Sequence, residues 1–298
     1  MDNLTHSLVG AVLGQCGLKR KTGLAMPALI IGANLPDVDV SCFAWTTGLE
    51  HLAFRRGITH GPIALVLLPL ALAAMLWAWD RWQAKRGKRP EGRLPVHFGW
   101  LFALSFLACL THPALDWLNN YGIRLLEPFS HRWFYGDVLF IIDLWVLVML
   151  IAGVWLSRRR EQRGGEWTRP ARVALAGVLA YIGLNAGITH ARESALAGQG
   201  DTVIANAVPV AFWQRQLIVG GDGRYTLDGE PWGDFDLTAA DKPHITAAVP
   251  AAAPLLFWSR TPIIRVDDEG RYMLTDARFV WRGTSGFSVE LPAEVCAP

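Results

Sequence analysis

Apolar positions fall in long unbroken runs along the first two thirds of the chain and in short alternating runs along the last third. A membrane crossing needs about 20 mostly apolar residues, because the hydrocarbon core is about 30 Å thick and a helix rises about 1.5 Å per residue. Four runs approach or meet that length: residues 62–79, 96–110, 138–156 and 171–188. Two weaker, glycine-rich runs precede them, at residues 4–18 and 22–35. Beyond residue 191 the pattern changes. Short β-type runs at residues 215–219, 262–266, 272–274 and 279–281 alternate with turn signals at Gly220-Gly221-Asp222-Gly223, Leu227-Asp228-Gly229 and Asp267-Asp268-Glu269-Gly270.

The charges orient these runs. Lys19, Arg20 and Lys21 separate the two weak runs, six basic residues lie between Arg81 and Arg93, and five more between Arg158 and Arg169. Basic loops stay cytoplasmic, and all three fall on one side if the chain crosses six times, starting and finishing outside. The expected fold is therefore an all-α polytopic membrane bundle of about six helices, two of them short, over residues 1–190. A small β-rich extracytoplasmic domain follows at 191–298. Composition agrees: of 298 residues 52% are hydrophobic and only 18% charged, against about a quarter in an ordinary soluble domain. A net charge of +2 gives no reason to expect a nucleic-acid partner. Four scattered cysteines without a C-x-x-C pair exclude a zinc knuckle. Fourteen tryptophans suit membrane–water boundaries, where Trp79, Trp82, Trp100, Trp117, Trp133 and Trp167 are expected as anchors.

Titratable residues gather at the outward ends of the expected helices. His6 ends the first; Asp37 and Asp39 follow the second, behind Pro36; His51 and His60 share the next loop; His112 and Asp116 close the fourth. Asp137 reads as a helix cap at the start of the fifth, Asp143 as a carboxylate about two turns inside it, and His190 ends the sixth. Ionisable groups at membrane depth face an internal polar site rather than lipid. Imidazole with carboxylate is the ligand set for zinc, with manganese or iron as alternatives. The i, i+4 spacing of His112 and Asp116 puts both on one helix face; a buried hydrogen bond between them is the simpler alternative, as capping is for Asp37 and Asp39. His51, His97 and His131 read most simply as interfacial residues. The dipeptide Thr-His occurs four times, at His6, His60, His112 and His190, and each hydroxyl is placed to orient a neighbouring ligand. No phosphate-binding loop, G-x-S-x-G elbow or H-E-x-x-H helix is present.

The segments Met1-Asp2-Asn3-Leu4-Thr5-His6, Leu35-Pro36-Asp37-Val38-Asp39, Arg56-Gly57-Ile58-Thr59-His60-Gly61 and Thr111-His112-Pro113-Ala114-Leu115-Asp116 occur in this order. With Tyr121 to Ser130 and Ile141-Ile142-Asp143, they are similar to the YdjM-type bacterial inner-membrane proteins, described as membrane-bound metal-dependent hydrolases. The resemblance covers the membrane half well and the tail more loosely. It implies His6, Asp37, Asp39, His60, His112 and Asp116 as metal-site residues, with Asp143 as a further candidate. Asp143 and Asp116 are the carboxylates expected to serve the chemistry. Many members carry a histidine where this chain has Arg55, which leaves His51 as an alternative at that place. The expected function is metal-dependent hydrolysis at the external membrane face, on an amphiphilic, phosphoester or lipid-like substrate. The alternative is a non-enzymatic metal-binding membrane protein, serving as an ion or proton path or an interaction scaffold.

Overall fold

The computed structural model describes residues 1–280 and 286–296, which form two units. The first comprises Met1–Asp39 and Arg56–Asn185; the second comprises Val40–Arg55 and Ala186–Pro298.

In the first unit, α1 (Asn3–Gln15) starts where the Asp2 side chain accepts the Thr5 amide at 3.0 Å, a helix cap. α2 (Ala25–Gly32) packs between α1 and α5 (Phe98–Trp117), and α4 (Ala64–Lys85) lies against α5. Two glycines let α2 sit that deep. A Cβ on Gly10 would stand 2.5 Å from the Leu29 carbonyl oxygen, and one on Gly32 would stand 2.9 Å from that of Ser105. Small residues at helix crossings are how apolar helices approach closely. The core here is Ala25, Ala28, Leu29, Ala33, Ala73, Leu101, Leu104 and Ala108. α6 (Leu144–Gln162) packs on α1, and α7 (Thr168–Ala195) follows it.

Among the described residues three helices, α4, α5 and α7, are long and apolar enough to cross a membrane. Their outer faces carry exposed large apolar side chains, among them Leu67, Met75, Leu107, Val173 and Leu179. The other three expected crossings are shorter or carry charge. α1, with 13 residues, reaches only about 20 Å, and α2, with eight, reaches about 12 Å. α6 takes Arg158, Arg159 and Arg160 into its final turns. The run expected at 138–156 is not a single helix. Its first residues are irregular chain with bends, not helix, and α6 begins only at Leu144. Asp143 is consequently the cap of α6, accepting the amides of Trp145 at 3.0 Å and Val146 at 3.1 Å, with the Tyr181 hydroxyl at 3.1 Å on its other oxygen. Asp137, expected as the cap, has a left-handed backbone instead (φ 55°).

The second unit holds two antiparallel sheets. β1 (Thr202–Ala207), β2 (Arg215–Gly221), β3 (Arg224–Leu227) and β4 (Glu230–Trp232) form one in sequence order. β5 (Pro262–Val266), β6 (Tyr272–Asp276) and β7 (Ser288–Leu291) form the other. The three turn signals make the β2–β3, β3–β4 and β5–β6 hairpins; Asp228 (φ 53°) and Gly229 (φ 91°) supply the left-handed pair that a tight hairpin requires. Register places Ile204 opposite Ile218 and Ile218 opposite Leu227, and these three join Tyr225, Ile263, Ala277 and Val280 in one core. Between the sheets in sequence lie two short helices that the alternating pattern does not predict, Asp241–Ala248 and Ala253–Trp258. Residues 277–279 form a 3-10 turn rather than the start of a strand, and Trp281 lies outside the described residues. The short helix α3 (His51–Phe54) also belongs to this unit.

Candidate metal centre

Four pieces of backbone deliver side chains to one buried point in the first unit. α5 supplies His112 and Asp116 one turn apart on the same face, as their spacing requires. A 3-10 run, Leu35–Ala44, starts where Pro36 follows α2 and supplies Asp37 and Asp39. A tight turn, Ile58–His60, supplies His60, and the first turn of α1 supplies His6. Asp37, His60, His112 and Asp116 each present a ligand atom, and these atoms lie within 4.8 Å of one another. All four residues are buried.

Asp116 is the hub. Its carboxylate stands 3.5 Å from His112 Nε2, 3.7 Å from His60 Nε2 and 3.4 Å from His6 Nε2. Asp37 lies 3.7 Å from His112 Nε2. The rings of His6 and His112 stack, with centroids 3.8 Å apart and planes 15° apart. His112 Nδ1 lies 2.7 Å from the Ala33 carbonyl oxygen, so this nitrogen donates and Nε2 is left as the lone-pair nitrogen. Nε2 of His6, of His60 and of His112 is buried without a hydrogen-bond partner. Most buried polar atoms are paired, so three imidazole nitrogens left over around two carboxylates form a group that fits a cation. Burial, the largest influence on His60, lowers its pKa against the opposing pull of Asp116 and Asp39, which favours the neutral ring that ligates metals.

Asp39 stands one step back. It accepts the Arg56 amide at 2.7 Å and the Thr59 hydroxyl at 3.2 Å, and lies 3.6 Å from His60 Nδ1. Thr59 Oγ1 is 3.0 Å from the same ring nitrogen. Asp39 and Thr59 thus orient His60 from behind. The other three Thr-His hydroxyls do different work: Thr5 bonds Asp2, Thr111 bonds the Ala108 carbonyl, and Thr189 accepts from Arg215. His51 belongs to the second unit, where it meets the Gly48 carbonyl at 3.0 Å and the Phe43 ring; His190 is exposed there. Asp143 caps α6, as described above.

Arg56, which its sequence position does not single out, also belongs to the site. Its guanidinium is buried, with Nε 3.1 Å from one Asp116 oxygen and Nη2 3.2 Å from the other, while Nη1 reaches Asn119 and the Gly122 carbonyl, both at 3.1 Å. The ring of Tyr121 lies 4.6 Å from it. The signal was an arginine inside a histidine-bearing motif, one position after the Arg55 that drew attention. The Met1 amino group also pairs with Asp116. Two positive groups therefore accompany the buried carboxylate, and neither contacts the three free imidazole nitrogens through a hydrogen bond.

The family model for the YdjM inner membrane protein matches residues 1–191, and the chain belongs to this family. It is also similar to a protein of Bacillus subtilis (strain 168) named "Uncharacterized protein YfhP", with 24% identity over 162 residues. That match covers 52% of this chain and 45% of the relative, so the chain spans less than half of that relative's length. No solved structure matches the chain.

Proposed function

From membership in an inner-membrane family, we propose that this protein is a membrane-bound, metal-dependent hydrolase whose centre lies toward the external face. The observation that carries the proposal is the convergence of unpartnered His60 and His112 Nε2 atoms with Asp37 and Asp116. His60, His112, Asp37 and Asp116 would hold the ion, with His6 as a further nitrogen beside it. A borderline-soft divalent ion suits two imidazoles and two carboxylates, and zinc is the first choice. Bound there, it would supply Lewis acidity and make a water molecule more acidic.

The chain's own residues set the rest. Ala33 fixes the His112 tautomer, Asp39 and Thr59 hold the His60 ring, and the Arg56 fork keeps Asp116 in place. Such supporting contacts are worth about 10–100-fold in metal affinity. The three basic segments share one end of the first unit, where Lys19 pairs with Glu161 and the Gly23 amide donates to the Pro95 carbonyl, and a cytoplasmic place for that end would set the centre on the opposite, extracytoplasmic side. A site at the lipid boundary suits an amphiphilic phosphoester. The C-terminal unit then lies outside as well.

The double hold of Arg56 on Asp116 favours a second reading, in which the ion is structural and the protein is a scaffold. Hydrolysis separates the two. Detergent-purified protein loaded with zinc is assayed on a chromogenic phosphodiester and on phosphatidic acid. Turnover by wild type that is lost in Asp116→Ala supports the hydrolase. Metal binding without turnover on either substrate supports the scaffold.

A further inference from the structure

A second feature of the first unit lies away from the histidines, between α6 and α7. Met149, Gly153, Leu156 and Arg160 follow one another along one face of α6, spaced four, three and four residues apart. Arg169, Val173 and Gly177 do the same on α7, four residues apart. The two helices are joined by a short loop and come together where a Cβ on Gly153 would meet that of Ala174 at 2.4 Å. Between these faces runs a groove of about 640 Å³, within the range of about 300–1,000 Å³ usual for small-molecule sites.

Its walls are apolar for most of their length, but one end carries the guanidinium groups of Arg160 and Arg169. Neither makes an ion pair among the described residues, and the nearby acids are engaged elsewhere. Glu161 pairs with Lys19, and Glu166 accepts the Thr168 hydroxyl and the amides of Thr168 and Arg169. A neighbouring groove beside Leu8, Ile151 and Trp155 also ends in arginines, but there Arg159 already sits over the Trp155 ring at 5.3 Å. The α6–α7 groove pairs an apolar channel with two uncommitted cations at one mouth.

We infer that this groove is a binding site for an anionic phospholipid, with one acyl chain along Met149, Ala152, Val173 and Gly177 and the headgroup phosphate on Arg160 and Arg169. One wall of the groove, α7, is a helix long and apolar enough to cross a membrane, and a basic pocket beside such a helix is a recognised way to hold these headgroups. The positive end is also the end where the loop arginines place the cytoplasmic leaflet, in which anionic lipid attracts basic segments. This site takes a lipid independently of the metal centre and stands whether or not the protein hydrolyses anything.

The test uses the full chain in phosphatidylcholine vesicles containing a trace of phosphatidylglycerol with a photoactivatable acyl chain. Labelling is expected on peptides from residues 144–177. Unlabelled phosphatidylglycerol should compete it away; added phosphatidylcholine and inorganic phosphate should not. Each arginine is expected to contribute about five-fold, so Arg160→Gln with Arg169→Gln lowers labelling roughly 25-fold. The paired Lys variant retains most of it. Val173→Trp fills the groove from an exposed position and lowers labelling with both arginines intact. Equal competition by phosphatidylcholine, competition by phosphate, or wild-type labelling of the Gln pair would each overturn the inference.

Discussion

Each unit buries a cluster of charged and polar groups, and the two clusters are finished differently. In the second unit, Asp276 and Arg278 are fully buried and the carboxylate is saturated. It accepts from the Ser259 and Thr261 hydroxyls and from Nε, Nη2 and the amide of Arg278. In the first unit, His6, His60 and His112 surround Asp116 with their Nε2 atoms lacking hydrogen bonds. A saturated buried pair holds a fold together, and its partners are all in the chain. An unsaturated one tolerates its cost only if something else completes it. The contrast assigns structure to the one cluster and ligand binding to the other.

That contrast can be broken most sharply in the second unit. Asp276→Ala leaves the Arg278 guanidinium buried and uncompensated, at an expected cost of about 3–5 kcal/mol. Hydrogen exchange of β5 and β6 in the full chain should rise accordingly, while metal content stays unchanged. Protected strands would contradict a structural role for the pair. In the first unit the large effect should come from the ion instead. With free zinc at a thousand times the dissociation constant, binding stabilises by about 4 kcal/mol, and chelation removes it. Wild-type protein should therefore lose melting temperature on chelation, and His112→Ala should be indifferent to the chelator.

Smaller effects sharpen the comparison. Asp39→Asn keeps the shape but weakens the hold on His60, and zinc affinity should drop about 10–100-fold by competition titration. An unchanged affinity would remove Asp39 from the centre's support. The smallest effect concerns acid. Burial raises the Asp276 pKa, but the Arg278 guanidinium and the hydrogen bonds more than offset it and leave the carboxyl below its usual value. A depressed carboxylate stabilises above its unfolded pKa, about 3.9, and that stability is lost as pH falls through the lower folded value. Chemical unfolding of the second unit should show this decline below about pH 4, and Asp276→Asn should flatten it.

The sequence made some of this legible. His112 and Asp116 announce a shared face through their spacing, and Pro36 ends a helix so that Asp37 and Asp39 can turn inward. The three glycine-bearing turns mark their hairpins because left-handed backbone is cheap for few residues. What stayed hidden follows from the limits of hydropathy. Residues 138–143 are as apolar as a helix but form irregular, bent chain, so Asp143 looked deep in a helix when it only caps one. Residues 4–18 and 22–35 read as crossings because apolarity does not distinguish contact with lipid from contact with neighbouring helices, and α2 is enclosed by α1 and α5. Arg56 was invisible because a basic residue near a membrane reads as a topology signal until its partner, Asp116, is seen 60 positions away.

Elemental analysis of the detergent-purified full chain tests most directly whether the buried imidazoles and carboxylates grip a cation. The expected result is one divalent ion per chain, retained through size exclusion and lost in both His112→Ala and Asp37→Ala. Folded wild-type protein that carries no metal after incubation with zinc, manganese or iron would contradict it.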